Sequence, residues 1–528
     1  MQFLEKRSIV HPLLFALVPV IFLFSNNIHE VTFIDFLLPS LIILFSVFLI
    51  WVFFSIISKN KIKSALALSL SIFLFFSYGH IFNFLNSSIE YGLDPSHHKY
   101  LLGLLFLPFL IGVIYLIKTN RKFDNLTIIV NVIAIALISI SAINIGTFYF
   151  EQNNIQNNIQ SNNNENFEKS SLNSITTEEL PDVYYIILDS YPRADILTKY
   201  FNYDNSPFIN FLEEKGFFVT TESHTNYPQS YLSIASSLNM EYMDYFTDEV
   251  GENSRDRRPV YDSIKYSEVA KKFKSHGYSF INFNSGMTMT SDIPTADRNL
   301  CGNNRFLINE FTIQLIGMTA LKPFYVNLLD DRSDLILCAF SKIPEIGKRY
   351  DNPIFVLAHI HLPHPPFIFG PNGESISPDS LDLGQATYWF DKESAINQIT
   401  FTNKQTQELI SKIFSHSKNS SIIIIQSDHG TASLYPAACG NDLVCPIDNL
   451  TDEYIIERMS NFGAYYLPSN DYNLFYDSMT PVNIFRIIFN SYFDDEYPIL
   501  EDKMYWSVTT APYQFVEMTD KLGTDFKN

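Results

Sequence analysis

Asp428, His429 and Gly430 follow directly on Ser421-Ile-Ile-Ile-Ile-Gln-Ser427, which sets a carboxylate beside an imidazole at the end of an apolar run. Carboxylate oxygen and imidazole nitrogen together suit a divalent cation such as Zn²⁺ or Mn²⁺, with Mg²⁺ and Ca²⁺ also open to them. The glycine lets the backbone turn sharply beside such an ion. An isolated Asp-His-Gly is equally a polar turn, so the metal reading depends on other segments. A second acid, Asp189, ends the apolar stretch Asp182-Val-Tyr-Tyr-Ile-Ile-Leu188. Ser230 comes two residues after Pro228 and is expected as the N-cap of a helix through about residue 238. First-turn N–H groups and the helix dipole favour an anion at that position. A serine hydroxyl is a weak nucleophile until it is activated, so Ser230 needs a metal or a base nearby. Asp189, Ser230, Asp428 and His429 are the candidate metal ligands, with a helix cap or turn the alternative role for Asp189 and a helix cap that for Ser230. His359, His361 and His364 lie together after the apolar stretch 353–358. Imidazole titrates near neutrality, so such a cluster can move protons or hold substrate oxygens. Ser230, His364 and His361 are the expected catalytic residues, with His364 ahead of His361 and His359; His224, His276 and His416 are given no chemistry.

Strands must carry these groups to a common place. Four consecutive isoleucines read as the central strand of a parallel sheet covered on both faces, and ligands gather where such strands end. Further strands are expected at 182–188, 217–220, 278–283, 353–358 and 461–467. Helices are expected at 205–216 and 260–276, and a helix-rich stretch at 385–416. Strands alternating with helices imply an α/β fold with a mostly parallel sheet. If the strands ending in Asp189 and Asp428 are neighbours, the two carboxylates emerge on one sheet edge and can share a cation.

The apolar runs lie almost entirely before residue 150. Five segments, 9–25, 33–57, 64–85, 100–117 and 126–150, approach or exceed the ~20 apolar residues needed to cross a bilayer. The first could be a signal peptide, but it lacks a small-residue cleavage site and four more spans follow it. Lys6 and Arg7, then Lys59, Lys61 and Lys63, then Lys118, Arg121 and Lys122 mark alternate ends, placing the N-terminus in the cytoplasm and all beyond residue 150 outside. Asn, Gln and Ser dominate 151–180, read as a flexible linker, and 181–528 as one exterior catalytic domain. Residues 1–150 carry nine Lys/Arg and six Asp/Glu, so with a total of −20 the remainder carries −23. An exterior part so acidic, with no nucleic-acid motif, excludes nucleic acid as a partner. The membrane spans hold few ionisable residues, chiefly Asp35 and His80, which supports no ion path. All four cysteines (Cys301, Cys338, Cys439, Cys445) fall outside, where disulfides persist; they allow three pairings, with Cys439 and Cys445 nearest in sequence.

Asp189, Ser230, the stretch His359 to Phe367 and Ser427-Asp428-His429-Gly430 resemble, in type and order, the alkaline phosphatase superfamily. Within it the resemblance is to sulfatase-like proteins that include lipoteichoic acid synthases and lipid A phosphoethanolamine transferases, and it covers roughly residues 180–490. It implies a single-metal core of Asp189, Ser230, Asp428 and His429, a covalent intermediate on Ser230, and a bilayer-bound enzyme acting on phosphate esters of envelope lipids, glycans or polymers. Those transferases usually present Glu and Thr where this chain has Asp189 and Ser230. Leu232 and Ile234 occupy the places of Pro and Arg in sulfatases that mature a formylglycine, which argues against that chemistry. A sulfate-ester hydrolase and an inactive binder of anionic glycans are the alternatives.

Overall fold

The computed structural model describes residues 8–31, 33–87, 98–160, 180–302, 310–324, 326–376, 389–417, 420–435 and 447–522. Cys439, Cys445 and positions 161–179 of the expected linker lie outside them. The chain divides into two compact units: 1–163 with 305–330, and 164–304 with 331–528.

The first unit contains α1 (His11–Asn26), α2 (Phe33–Ser58), α3 (Lys61–Ser87), α4 (His98–Lys118) and α5 (Asp124–Gln160). Among the described residues, α2 to α5 are long and apolar enough to cross a membrane, while α1, at 16 residues, is shorter than a full span. Large apolar side chains such as Phe45, Phe53, Ile111 and Ile143 point outward, as a bilayer solvent permits and water does not. Polar groups are paired inside: Asn131 Oδ1 accepts from the His11 N–H at 2.9 Å, and His11 Nδ1 lies 2.6 Å from Ser69 Oγ.

The second unit runs β1 (Asp182–Leu188), α6 (Ala194–Phe201), α7 (Ser206–Glu214), β2 (Phe218–Val219), α8 (Ser230–Asn239), α9 (Arg258–Lys265), α10 (Glu268–Ser275), β3 (Ser279–Phe283) and β4 (Arg298–Leu300). The short helix α11 (Glu310–Gly317) belongs to the first unit. Then come α12 (Val326–Ile346), β5 (Ile354–Ile360), α13 (Lys392–His416), β6 (Ser421–Gln426), α14 (Asp452–Met459), β7 (Gly463–Tyr466), α15 (Ile484–Tyr492) and the hairpin β8 (Tyr505–Val508) with β9 (Ala511–Glu517). A disulfide joins Cys301 to Cys338.

Seven strands form the main sheet in the order β2-β7-β6-β1-β5-β3-β4, parallel except where β7 meets β6 and β2. The isoleucine strand β6 lies beside β1, and every residue of β1, β5 and β6 is buried, which explains why these strands are apolar without alternation. The expected helix over 260–276 is two helices, α9 and α10, broken at Tyr266 and Ser267; Ser267 has extended backbone and stands at the N-cap position of α10 without a side-chain capping bond. The expected strand 353–358 continues through His359 and Ile360.

Candidate metal centre

Strand register brings the chemistry together. Ile187 pairs with Gln426 on one side and with His359 on the other, and Leu188 pairs with Ile360. Continuing those registers sets Asp189 level with Asp428 and with His361, all at the carboxyl edge of the sheet. Ser190 then adopts a left-handed backbone (φ 60°) and donates its N–H to Asp428 Oδ1 at 2.9 Å. The Ser190 hydroxyl reaches Asp189 Oδ1 at 3.2 Å and His429 Nδ1 at 3.1 Å. A non-glycine residue held in that conformation is strained, and here the strain places two groups on the expected ligands.

Gln229 occupies the N-cap position of α8, and Ser230, the expected N-cap, is instead its first residue. Its hydroxyl lies 3.1 Å from His429 Nε2. The loop before it is tied down by the β8–β9 hairpin: the Gln229 amide donates to the Ser507 carbonyl, and Tyr505 N–H to Asn226 O at 2.9 Å. His429 Nε2 is also 3.5 Å from Asp428 Oδ2 and 3.9 Å from Asp189 Oδ1. The four expected ligand residues therefore meet at one point.

Two further histidines join them. His359 Nε2 is 3.6 Å and His361 Nε2 3.3 Å from Asp189 Oδ2. The His361 and His364 rings sit 4.4 Å apart, and the His364 N–H donates to the Asp189 carbonyl at 3.1 Å. Two overlapping donor sets result, Asp189–His359–Asp428 and Asp189–His361–His364. His359, the least favoured histidine of its cluster, is thus part of the centre.

The donors fit a divalent cation on three grounds. Asp189 Oδ2, Asp428 Oδ2 and His359 Nε2 are buried and accept or donate no hydrogen bond, a costly condition unless something else satisfies them. His429 gives its Nδ1–H to the Gly430 carbonyl at 2.9 Å, and His359 Nδ1 pairs with Thr290 Oγ1 at 2.9 Å; such bonds fix the ring so that Nε2 faces an ion. Electrostatics agree. Burial and the Asp428 carboxylate push Asp189 up to about 8. Burial also opposes ionisation of Asp428, but His429, His359 and the Ser190 N–H outweigh it and hold that carboxyl low. Burial, reinforced by Arg458, lowers His429 to about 3. Neutral imidazoles and two crowded carboxylates are what a cation would relieve.

Arg458 has no counterpart in the sequence reading. It ends α14, donates to Pro228 O at 3.0 Å and Gly430 O at 3.2 Å, and turns Nη2 to His429 Nε2 at 3.1 Å. Its neighbour Glu457 is buried and accepts from Thr431 Oγ1 at 2.5 Å and from the N–H groups of Ser433 and Leu434 at 2.7 and 2.8 Å. Arginine and glutamate at the end of an amphipathic helix carry no distinguishing spacing. Gly430 also has a different reason from the expected turn: its φ is not left-handed, but a Cβ would lie 2.1 Å from Glu457 O.

No protein-family model matches the sequence, and no curated protein matches it. Solved structures do. The lipooligosaccharide phosphoethanolamine transferase A of Neisseria meningitidis is 10% identical over 92% of this chain and 95% of its own, at a TM-score of 0.38. The periplasmic domain of EcEptC from Escherichia coli, in complex with Zn, is 13% identical over 65% of this chain and 93% of its own, at 0.40. A 2-O GAG sulfatase is 10% identical over 62% and 77%, at 0.36. At these scores no residue role passes from them to this chain, and the assignments above stand on its own geometry. The neighbours are phosphoethanolamine transferases and sulfatases, enzymes of the sulfatase-like superfamily.

Proposed function

We propose that this chain is a membrane-held, metal-dependent enzyme that transfers or hydrolyses phosphate esters of envelope lipids, glycans or polymers through Ser230. One observation carries the reading: the Ser230 hydroxyl converges, within hydrogen-bond distance of His429, on buried carboxylate and imidazole atoms that nothing else satisfies. Asp189, Asp428 and His429 hold the ion with Ser230, and His359 stands close enough to Asp189 to join them. A bound divalent ion, with zinc or manganese favoured by the donors, lowers the pKa of the serine hydroxyl and offsets charge developing on phosphoryl oxygens.

The chain's own residues supply the rest. Ser230 Oγ forms a bond to phosphorus as the ester oxygen leaves, and the first turn of α8 offers its N–H groups to the anion. Arg458, fixed by two carbonyls, presents a permanent positive charge beside the nucleophile. His364 gives its Nδ1–H to Pro365 O at 2.6 Å, and burial holds it down at about 4. It is therefore neutral, with a lone pair on Nε2 that can accept a hydrogen bond from, and so orient, an acceptor hydroxyl or water in the second step. His361, pushed well below its usual range by burial, orients beside it.

The alternating basic residues support a cytoplasmic N-terminus and an exterior catalytic unit. The test quenches the full-length, metal-loaded protein during turnover of a slow chromogenic phosphodiester, with a sulfate ester in parallel, and maps the added mass. Phosphoryl on the Ser230 peptide is expected. Turnover of the sulfate ester alone, or an adduct elsewhere, overturns the reading.

A further inference from the structure

We infer that residues 310–324, an excursion from the middle of the catalytic fold, form a re-entrant membrane element whose partner is the acyl-chain region of the bilayer. The catalytic chain leaves its own unit after β4 and returns in α12, and the residues between group with the membrane helices. Phe311 and Leu315 of α11 are buried with Val20, Leu23, Phe24 and Phe148. Beyond α11 the backbone itself is built into α3. Gly79 N–H donates to Met318 O at 3.0 Å, and Ala320 N–H donates to Phe75 O at 2.9 Å. Phe75 O and Gly79 N–H are the two groups that a regular helix pairs with each other. The excursion thus pairs its own backbone groups, Met318 O and Ala320 N–H, with groups of α3, which is how irregular backbone is tolerated at membrane depth.

Gly79 makes the insertion possible. A Cβ there would lie 2.1 Å from Gly317 O and 2.6 Å from Met318 Cα, both backbone. Depth follows from position along the span. α3 qualifies as a membrane-crossing helix through Leu85, and Phe75 is ten residues earlier, about 15 Å at ~1.5 Å per residue. The hydrocarbon core is about 30 Å thick and the 25-residue span is about 37 Å long, so with the span centred Phe75, and Ala320 bonded to it, lie about 11 Å below the near edge of the core. Chain then rises past Lys322, which donates to Asn83 Oδ1 at 2.5 Å. On that path Leu321 is 47% and Phe324 65% exposed, and both continue the outward apolar surface of the spanning helices. Acyl chains are the one solvent that covers all of it.

The test places a nitroxide on Leu321→Cys and on Phe324→Cys in full-length protein reconstituted in phosphatidylcholine nanodiscs. Tyr266→Cys, at a position 50% exposed in the catalytic unit, is the reference. Relaxation by molecular oxygen should exceed relaxation by a water-soluble nickel chelate at 321 and 324, with the order reversed at 266. The aqueous pattern at both 321 and 324 overturns the inference. Should a label disturb packing, Phe324→Trp is read instead against the unsubstituted protein. Added quenching by lipids brominated on their acyl chains is expected, and its absence likewise overturns the inference.

Discussion

Replacing Gly430 by alanine asks whether the Asp-His-Gly turn and the end of α14 hold each other in place. The new Cβ would lie 2.1 Å from the carbonyl oxygen of Glu457 and 2.8 Å from that of Ser460. Ordinary contact begins near 3.4 Å, so about 1.3 Å must open between the two segments. Neither yields freely. Gly430 N–H donates to Arg458 O at 2.8 Å, and the Glu457 carboxylate ties down residues 431–434. Overpacking of this kind costs about 1–3 kcal/mol, and moving a positioned catalytic group by about 1 Å costs about 100-fold in rate. Gly430→Ala is therefore expected to fold, to melt a few degrees lower, to bind metal more weakly and to turn over about 100-fold more slowly. Thermal denaturation, metal analysis and phosphodiester turnover read the three effects separately. Wild-type melting together with full turnover would refute the claim that α14 positions His429 and Arg458 through this contact.

Ser230→Ala should melt close to wild type, because Gln229 and not Ser230 occupies the N-cap, yet yield no phosphoserine peptide. Ser233→Ala, which loses a buried bond to Thr225 Oγ1 at 2.9 Å, should cost about 1 kcal/mol and stay active; an inactive Ser233 variant would move the nucleophile assignment into doubt. Arg458→Lys is expected to restore part of the turnover that Arg458→Ala loses, since charge returns without the forked geometry; equal activity of the two variants would remove the charge role. Asp428→Asn and His429→Ala should each lose bound metal, and unchanged metal content in both would exclude them as ligands. His364 is held at about 4, below its ordinary 6.5. Unfolded chain therefore takes up a proton that the folded imidazole refuses, and this contribution is lost as pH falls below about 6.5. Acidifying metal-free protein from about 7 to about 5 should lower the melting temperature of wild type more than that of His364→Gln; parallel slopes would show that His364 titrates normally.

The parts of the site legible in sequence are those fixed by strand ends. Asp189 and Asp428 each follow a continuous apolar strand, and parallel register then leaves them little choice but to meet. Ser230 was found by a helix start, though the expected boundary falls one residue late. His359 ranked behind His364 because all three histidines were expected beyond the strand end, where spacing alone does not say which of them faces the ligands. Arg458 and Glu457 were missed because their roles come from where α14 packs, and no local spacing records that. The break between α9 and α10 had a signal, Ser267 followed by Glu268, which the continuous amphipathic pattern on either side obscured. Residues 310–324 drew no assignment from the sequence, since an apolar helix looks the same whether protein or lipid surrounds it. Backbone exchange with Phe75 and Gly79 leaves no trace in composition.

The threading of 310–324 into α3 also fixes an order of events during biosynthesis. α5 is complete by residue 160, yet the groups that bond to Gly79 and Phe75 lie beyond residue 317. At ~5–20 residues per second, roughly 8–30 s of translation separate the two. Throughout that interval α1 and α5 lack the side chains of Phe311 and Leu315 that pack against Val20, Leu23, Phe24 and Phe148. A ribosome stalled between these points would leave the first unit without its last contributing segment.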